Sequence, residues 1–142
     1  MKVKEIMTRT PAVCTPETPL LEVAKSMVGR DCGSLPVVRN GGTGDLIGVI
    51  TDRDMVVRAI AEGCNPLSLT ASACLTSPVI TIRDEASLDE CTDLMESKQI
   101  RRVPVVDASG ALVGIVAQAD VARHASRKDA GELVRDVSAP TR

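Results

Sequence analysis

Phenylalanine, tyrosine and tryptophan are all absent from this chain of 142 residues. A core without rings must be filled by Val, Ile, Leu, Met, Ala and Cys. Any planar ligand must lie between aliphatic side chains, and the missing rings argue against nucleic-acid binding through base stacking. The charge balance is nearly even: a formal net charge of −2 supplies no basic field to draw the chain to nucleic acid or anionic lipid. Histidine occurs once, as His124, which argues against a His-based metal site or a Ser-His-Asp triad. Five cysteines (Cys14, Cys32, Cys64, Cys74, Cys91) are an odd number without CxxC spacing, and they read as reduced thiols acting as small hydrophobes. Long apolar runs are missing too. "LIGVI" and "ALVGIVA" fall far short of a membrane span, and "MKVKEIMTRT" lacks the apolar core of a signal peptide, so the expected location is cytoplasmic.

What is present is a repeat. "SLPVV" at 34–38 returns as "RVPVV" at 102–106, 68 residues later, and "GVITDRD" at 48–54 returns as "GIVAQAD" at 114–120, 66 residues later. The turn between the two motifs absorbs the difference. Upstream, "IMTRTPAVCTPETPLLEVAKSM" matches "CLTSPVITIRDEASLDECTDLM". Repeat boundaries of 1–66 and 67–125 follow, with 126–142 as a polar C-terminal tail carrying a short apolar set (Leu133, Val134, Val137).

Each half reads β-α-β-β-α. "PLLEVAKSM" spaces Leu20, Val23, Ala24 and Met27 as a helix, with Thr18 as the predicted N-cap and Pro19 at the first helical position. "LPVV" and "LIGVIT" are β-branched runs across a Gly-rich turn, "GGTGDLIG", that opens onto a strand and is therefore a hairpin, not a dinucleotide loop. "DRDMVVRAIAEG" is a second helix ended by Gly63. In the second half, strand "VITI", helix "SLDECTDLMES", strands "VPVV" and "LVGIVA" and helix "ADVARHA" repeat the order. The fold class is α/β (α+β): two β-α-β-β-α repeats, each too small to stand alone and so expected to pack sheet to sheet.

Two such repeats, each with "PVV" and then an aspartate opening a helix six residues after a strand glycine, resemble a tandem CBS-domain pair, or Bateman module, over about 120 residues. The resemblance implies a pseudo-two-fold pair with a central cleft and two sites for adenosine compounds such as AMP, ADP, ATP or S-adenosylmethionine. It implies a regulatory module acting on a partner protein, with no catalysis and no required cofactor.

The residues support that implication separately. In "TDRD", Asp54 can accept hydrogen bonds from both ribose hydroxyls, and Thr51 can donate to a phosphate or ribose oxygen beside a helix N-terminus. Helix capping accounts for an acid there, yet capping alone leaves its recurrence as Asp120 unexplained. Ala117 stands where Thr51 stands in the first copy, so two unequal sites are expected. In "IRRVPVV", Ile100, Arg101 and Arg102 replace Cys32, Gly33 and Ser34. The resemblance assigns this segment to adenine and phosphate contact, and one arginine of the adjacent pair is expected to face the cleft. Arg53 and Arg58 are equally well read as an exposed helix face, and Asp84, Glu85, Asp89 and Glu90 as surface charge at a helix start. Apolar positions on the first two helices suit a homodimer. The alternative is a structural or stress-related interaction protein with an empty or vestigial cleft.

Overall fold

The structure, a computed structural model, describes residues 1–39, 45–124 and 134–138. In chain order its main elements are β1 (Thr8–Arg9), α1 (Leu20–Arg30), β2 (Ser34–Val38), β3 (Leu46–Thr51), α2 (Asp52–Met55), β4 (Ile82–Arg83), α3 (Leu88–Lys98), β5 (Arg102–Val106), β6 (Leu112–Ala117) and α4 (Gln118–His124). The chain forms two compact units. One is Pro11–Val79; the other joins Met1–Thr10 to Ile80–Arg142. The packing units therefore cut across the sequence repeats: residues 1–10 belong with the second repeat's elements and residues 67–79 with the first's.

In the Pro11–Val79 unit, α1 buries Leu20, Val23 and Met27, the spacing that turns one helical face inward. Its N-cap is Pro19, which is extended at ψ 141°, one residue later than predicted. Thr18 instead accepts the Thr15 amide at 2.9 Å, and the Leu20 amide bonds to Leu69 O at 3.0 Å. The helix closes on Asp31 in the left-handed region (φ 50°), whose amide reaches Met27 O and Val28 O, while the Cys32 amide also returns to Met27 O. β2 and β3 pair antiparallel, Ser34 opposite Thr51 and Leu35 opposite Ile50. The tip of the predicted hairpin turn, residues 40–44, lies outside the described residues. The strand expected before α1 is reduced to a parallel bridge of Cys14 with Val37. Leu20, Val23, Met27, Leu35, Val37, Ile50, Ala59, Ala71 and Cys74 form the core. Burial of such aliphatic groups, at about 25 cal/mol per Å², substitutes for the missing rings.

The second unit repeats the plan. A sheet of order β1-β6-β5-β4 pairs β5 with β6 in the register of β2 with β3, Arg102 opposite Ala117. The strand predicted over "VITI" is shorter and later, at Ile82–Arg83, parallel to β5. α3 starts from Ser87, whose hydroxyl accepts the Glu90 amide at 3.1 Å, and ends on Gln99 in the left-handed region. Val137 of the C-terminal tail is buried in this core beside Val3, Ile6, Met95, Val103, Val116 and Val121.

In each unit a segment from the other repeat crosses a strand glycine. Thr76 bridges Val49, and a Cβ on Gly48 would stand 2.7 Å from Thr76 O. Thr8 pairs with Ile115, and a Cβ on Gly114 would stand 2.8 Å from Thr8 O. Only glycine admits backbone so close.

Candidate functional site

The strand β3 runs directly into α2, and their junction is held by a capping box. Thr51, extended at φ −118° and ψ 161°, accepts the Asp54 amide on Oγ1 at 3.0 Å, and Asp54 Oδ2 accepts the Thr51 amide at 3.0 Å. The Thr76 hydroxyl donates to the same carboxylate, 3.3 Å from Oδ1 and 3.4 Å from Oδ2. Ser34 faces Thr51 across the β2–β3 pair. Thus Ser34, Thr51 and Asp54 are brought together in one unit, with Thr76 as a neighbour the sequence reading missed. Its recurrence as Thr8 in the repeated "MT" and "LT" is the signal that could have found it.

Past Met55 the helix continues as a π turn over Val56–Ile60. Arg58 lies within it, and its Nη1 donates to Cys74 O at 3.0 Å and Leu75 O at 2.6 Å. Arg58 is therefore a clamp on the segment leading to Thr76 and not simply part of a solvated face.

The second unit holds the same junction in reduced form. Asp120 Oδ2 accepts the Ala117 amide at 2.8 Å, but Ala117 has no oxygen to return, so half of the box is made. Asp120 Oδ1 lies 3.6 Å from Arg123 Nη1. The recurring aspartate is thus explained by capping in both repeats, a reason the sequence reading withheld from it. Arg102 faces Ala117 across the β5–β6 pair, Arg101 O accepts the Gln118 amide at 2.8 Å, and both arginine side chains are exposed. Ile100 packs against the core, with its amide on Met95 O at 3.1 Å. His124, the positional counterpart of Arg58, bonds through Nδ1 to Asp120 O at 2.9 Å.

Other candidates separate from these junctions. Cys14, Cys74 and Cys91 are buried, and burial pushes the Cys14 and Cys91 thiols up to about 11. All five cysteines are free thiols. Glu85 does not cap α3 but binds Lys2 and Lys4, whose hydrogen bonds hold its carboxyl down to about 2. Among the described residues no group of three or more His, Cys, Asp or Glu is placed to hold a metal ion, and no helix is long and apolar enough to cross a membrane.

Compared with known proteins, the chain matches the CBS domain twice, at residues 3–60 and 71–127. It is 36% identical over 121 residues to Hypoxic response protein 1 of Mycobacterium tuberculosis, covering 85% of this chain and 82% of that one. It is 34% identical to a Methanopyrus kandleri protein, of whose length it spans 61%. Among solved structures, Hypoxic Response Protein I with two coordinated zinc ions superposes with a TM-score of 0.78 at 33% identity, over 89% of this chain and 100% of that one. CBSX2 in complex with AMP superposes with a TM-score of 0.74 at 28% identity, over 87% and 94%.

Proposed function

This chain belongs to the CBS-domain family, and from that premise we propose that it is a regulatory module that binds an adenosine compound and passes the signal to a partner protein. The observation that carries the reading is the strand–helix junction at Thr51 and Asp54. There a hydroxyl and a carboxylate are fixed by reciprocal hydrogen bonds, where a ribose could be received. The AMP complex of CBSX2 supports an adenosine ligand in this family. Asp54 Oδ2 is committed to the Thr51 amide, so a ribose hydroxyl is taken chiefly by Oδ1, with the Thr76 hydroxyl as its competitor. The junction at Ala117 and Asp120 lacks one hydroxyl contact and is weaker by about tenfold or more. The module acts in the cytoplasm and catalyses nothing itself. It works as a homodimer through the exposed Leu21, Val28, Val56, Val57 and Ile60, a state that light scattering would test.

One observation favours the alternative reading, a structural or interaction protein with a vestigial site: the Asp54 carboxylate already has protein partners in the Thr51 amide and Thr76 hydroxyl. The missing aromatics make the deciding experiment simple. The protein itself absorbs little in the near ultraviolet, so purified material is denatured, filtered, and the filtrate examined by absorbance and mass. A near-stoichiometric adenosine compound supports the sensor reading. A clean filtrate, with no rise in melting temperature on adding AMP, ADP, ATP or S-adenosylmethionine, supports the alternative.

A further inference from the structure

The two junctions share a backbone plan but carry opposite charge. In the first, the Asp52 amide bonds to Gly33 O at 3.0 Å; in the second, the Gln118 amide bonds to Arg101 O at 2.8 Å. Gly33 and Arg101 hold equivalent positions in the repeat, as do Asp52 and Gln118. The Asp52 carboxylate lies against Gly33: a Cβ there would be 2.8 Å from Oδ2 and 3.2 Å from Cγ. Its Oδ1 accepts the Arg53 amide at 2.8 Å. A Cβ at position 33 would crowd this carboxylate, which is exposed and would have to turn aside to admit it. The first repeat has the acid above a glycine; the second has an arginine beside a neutral amide.

This exchange alters the field each junction offers. Counting only the two strand-entry residues and the four junction residues, the first (Gly33, Ser34, Thr51, Asp52, Arg53, Asp54) bears one net negative charge. The second (Arg101, Arg102, Ala117, Gln118, Ala119, Asp120) bears one net positive charge. Arg53 partly offsets Asp52, but it lies one residue on and about 100° further around the helix. The Asp52 carboxylate lies beside Gly33 at the entry to β2, and like charges disfavour a phosphate there.

We infer that Asp52 is a specificity-determining residue that turns the Thr51–Asp54 junction toward a phosphate-free adenosine compound, neutral or cationic, and against a nucleotide phosphate. This inference rests on the adenosine-binding reading above and names the ligand class for its first site.

The test compares adenosine and AMP as probes by equilibrium binding to the full chain, with Asp120→Ala throughout to silence the second junction. Asn at position 52 retains an oxygen for the Arg53 amide and differs only in charge. Asp52→Asn is expected to tighten AMP three- to tenfold at low salt while adenosine changes less than twofold. The gain is expected to shrink in high salt, because the carboxylate is exposed and screened. Should Asp52→Asn fail to fold, as judged by thermal melting, Asp52→Gln carries the same comparison with the residue the second repeat uses. An unchanged ratio of AMP to adenosine affinity, with binding abolished by Asp54→Ala, overturns the role of Asp52 and leaves the site standing. Binding of neither probe, or binding indifferent to Asp54→Ala, removes the site and the inference with it.

Discussion

Thr51 and Asp54 satisfy each other's backbone amides, each side-chain oxygen 3.0 Å from the other residue's nitrogen. The same two residues thus hold the end of β3 to the start of α2 and present the polar groups of the proposed site. Their substitution has two separable effects. Thr51→Ala removes one half of the box and is expected to lower stability by about 1 kcal/mol in chemical denaturation. Ala117 at the equivalent position indicates that the fold tolerates this loss. Asp54→Ala is expected to cost a similar amount and also to abolish adenosine binding at this junction. Full binding by the Asp54→Ala protein would reduce the pair to a cap.

Arg58 carries a second prediction. Its guanidinium reaches two carbonyl oxygens on the segment that crosses Gly48. Arg58→Met keeps the aliphatic stem and deletes the donors, leaving Cys74 O and Leu75 O to find water. A loss of about 1–3 kcal/mol is expected, together with faster amide exchange at Thr76, which pairs with Val49. Exchange at Thr76 as slow as in the unaltered protein would show that the strand bridge holds the segment without Arg58.

The thiols divide by burial. Cys14 and Cys91 are buried and pushed up to about 11, whereas Cys64 is exposed. Since the thiolate is the reactive form, alkylation of the native protein at pH 8 is expected to modify Cys64 fastest and Cys14 and Cys91 only on unfolding. The linkage has a definite sign. A thiol with a raised folded value contributes fully below its ordinary value near 9, and that contribution declines as pH rises toward 11. Rapid labelling of Cys91 at neutral pH would contradict the buried placement.

Acid acts on Glu85. Hydrogen bonds from Lys2 and Lys4 lower its carboxyl from the ordinary 4.5 to about 2. A depressed carboxylate contributes stability above 4.5 that is lost as pH falls from there toward 2. The group is about half exposed, with a side-chain exposure of 48%, so the effect is small and screened by salt. Glu85→Gln is expected to differ from the parent protein in melting temperature at pH 6 and low salt, and to converge with it near pH 2. A difference independent of both pH and salt would assign the effect to something other than the ion pair.

Much of this protein was legible in its residues. The repeat, the two-strand hairpins and the main helices follow from period and punctuation, because β-branched runs and helical spacing are local properties. The aspartate at each strand–helix junction was legible too, although its capping role in both halves needed the observed amide bonds at Thr51 and Ala117. Tertiary structure decided what lies far apart in the chain. Thr76 meets Asp54 across 22 residues, and Arg58 meets Leu75 across 17. Residues 1–10 pack with the second repeat instead of their own. No local pattern encodes such pairings. They arise because Gly48 and Gly114 leave room for backbone to cross, and because each unit must bury an aliphatic core with segments drawn from both repeats.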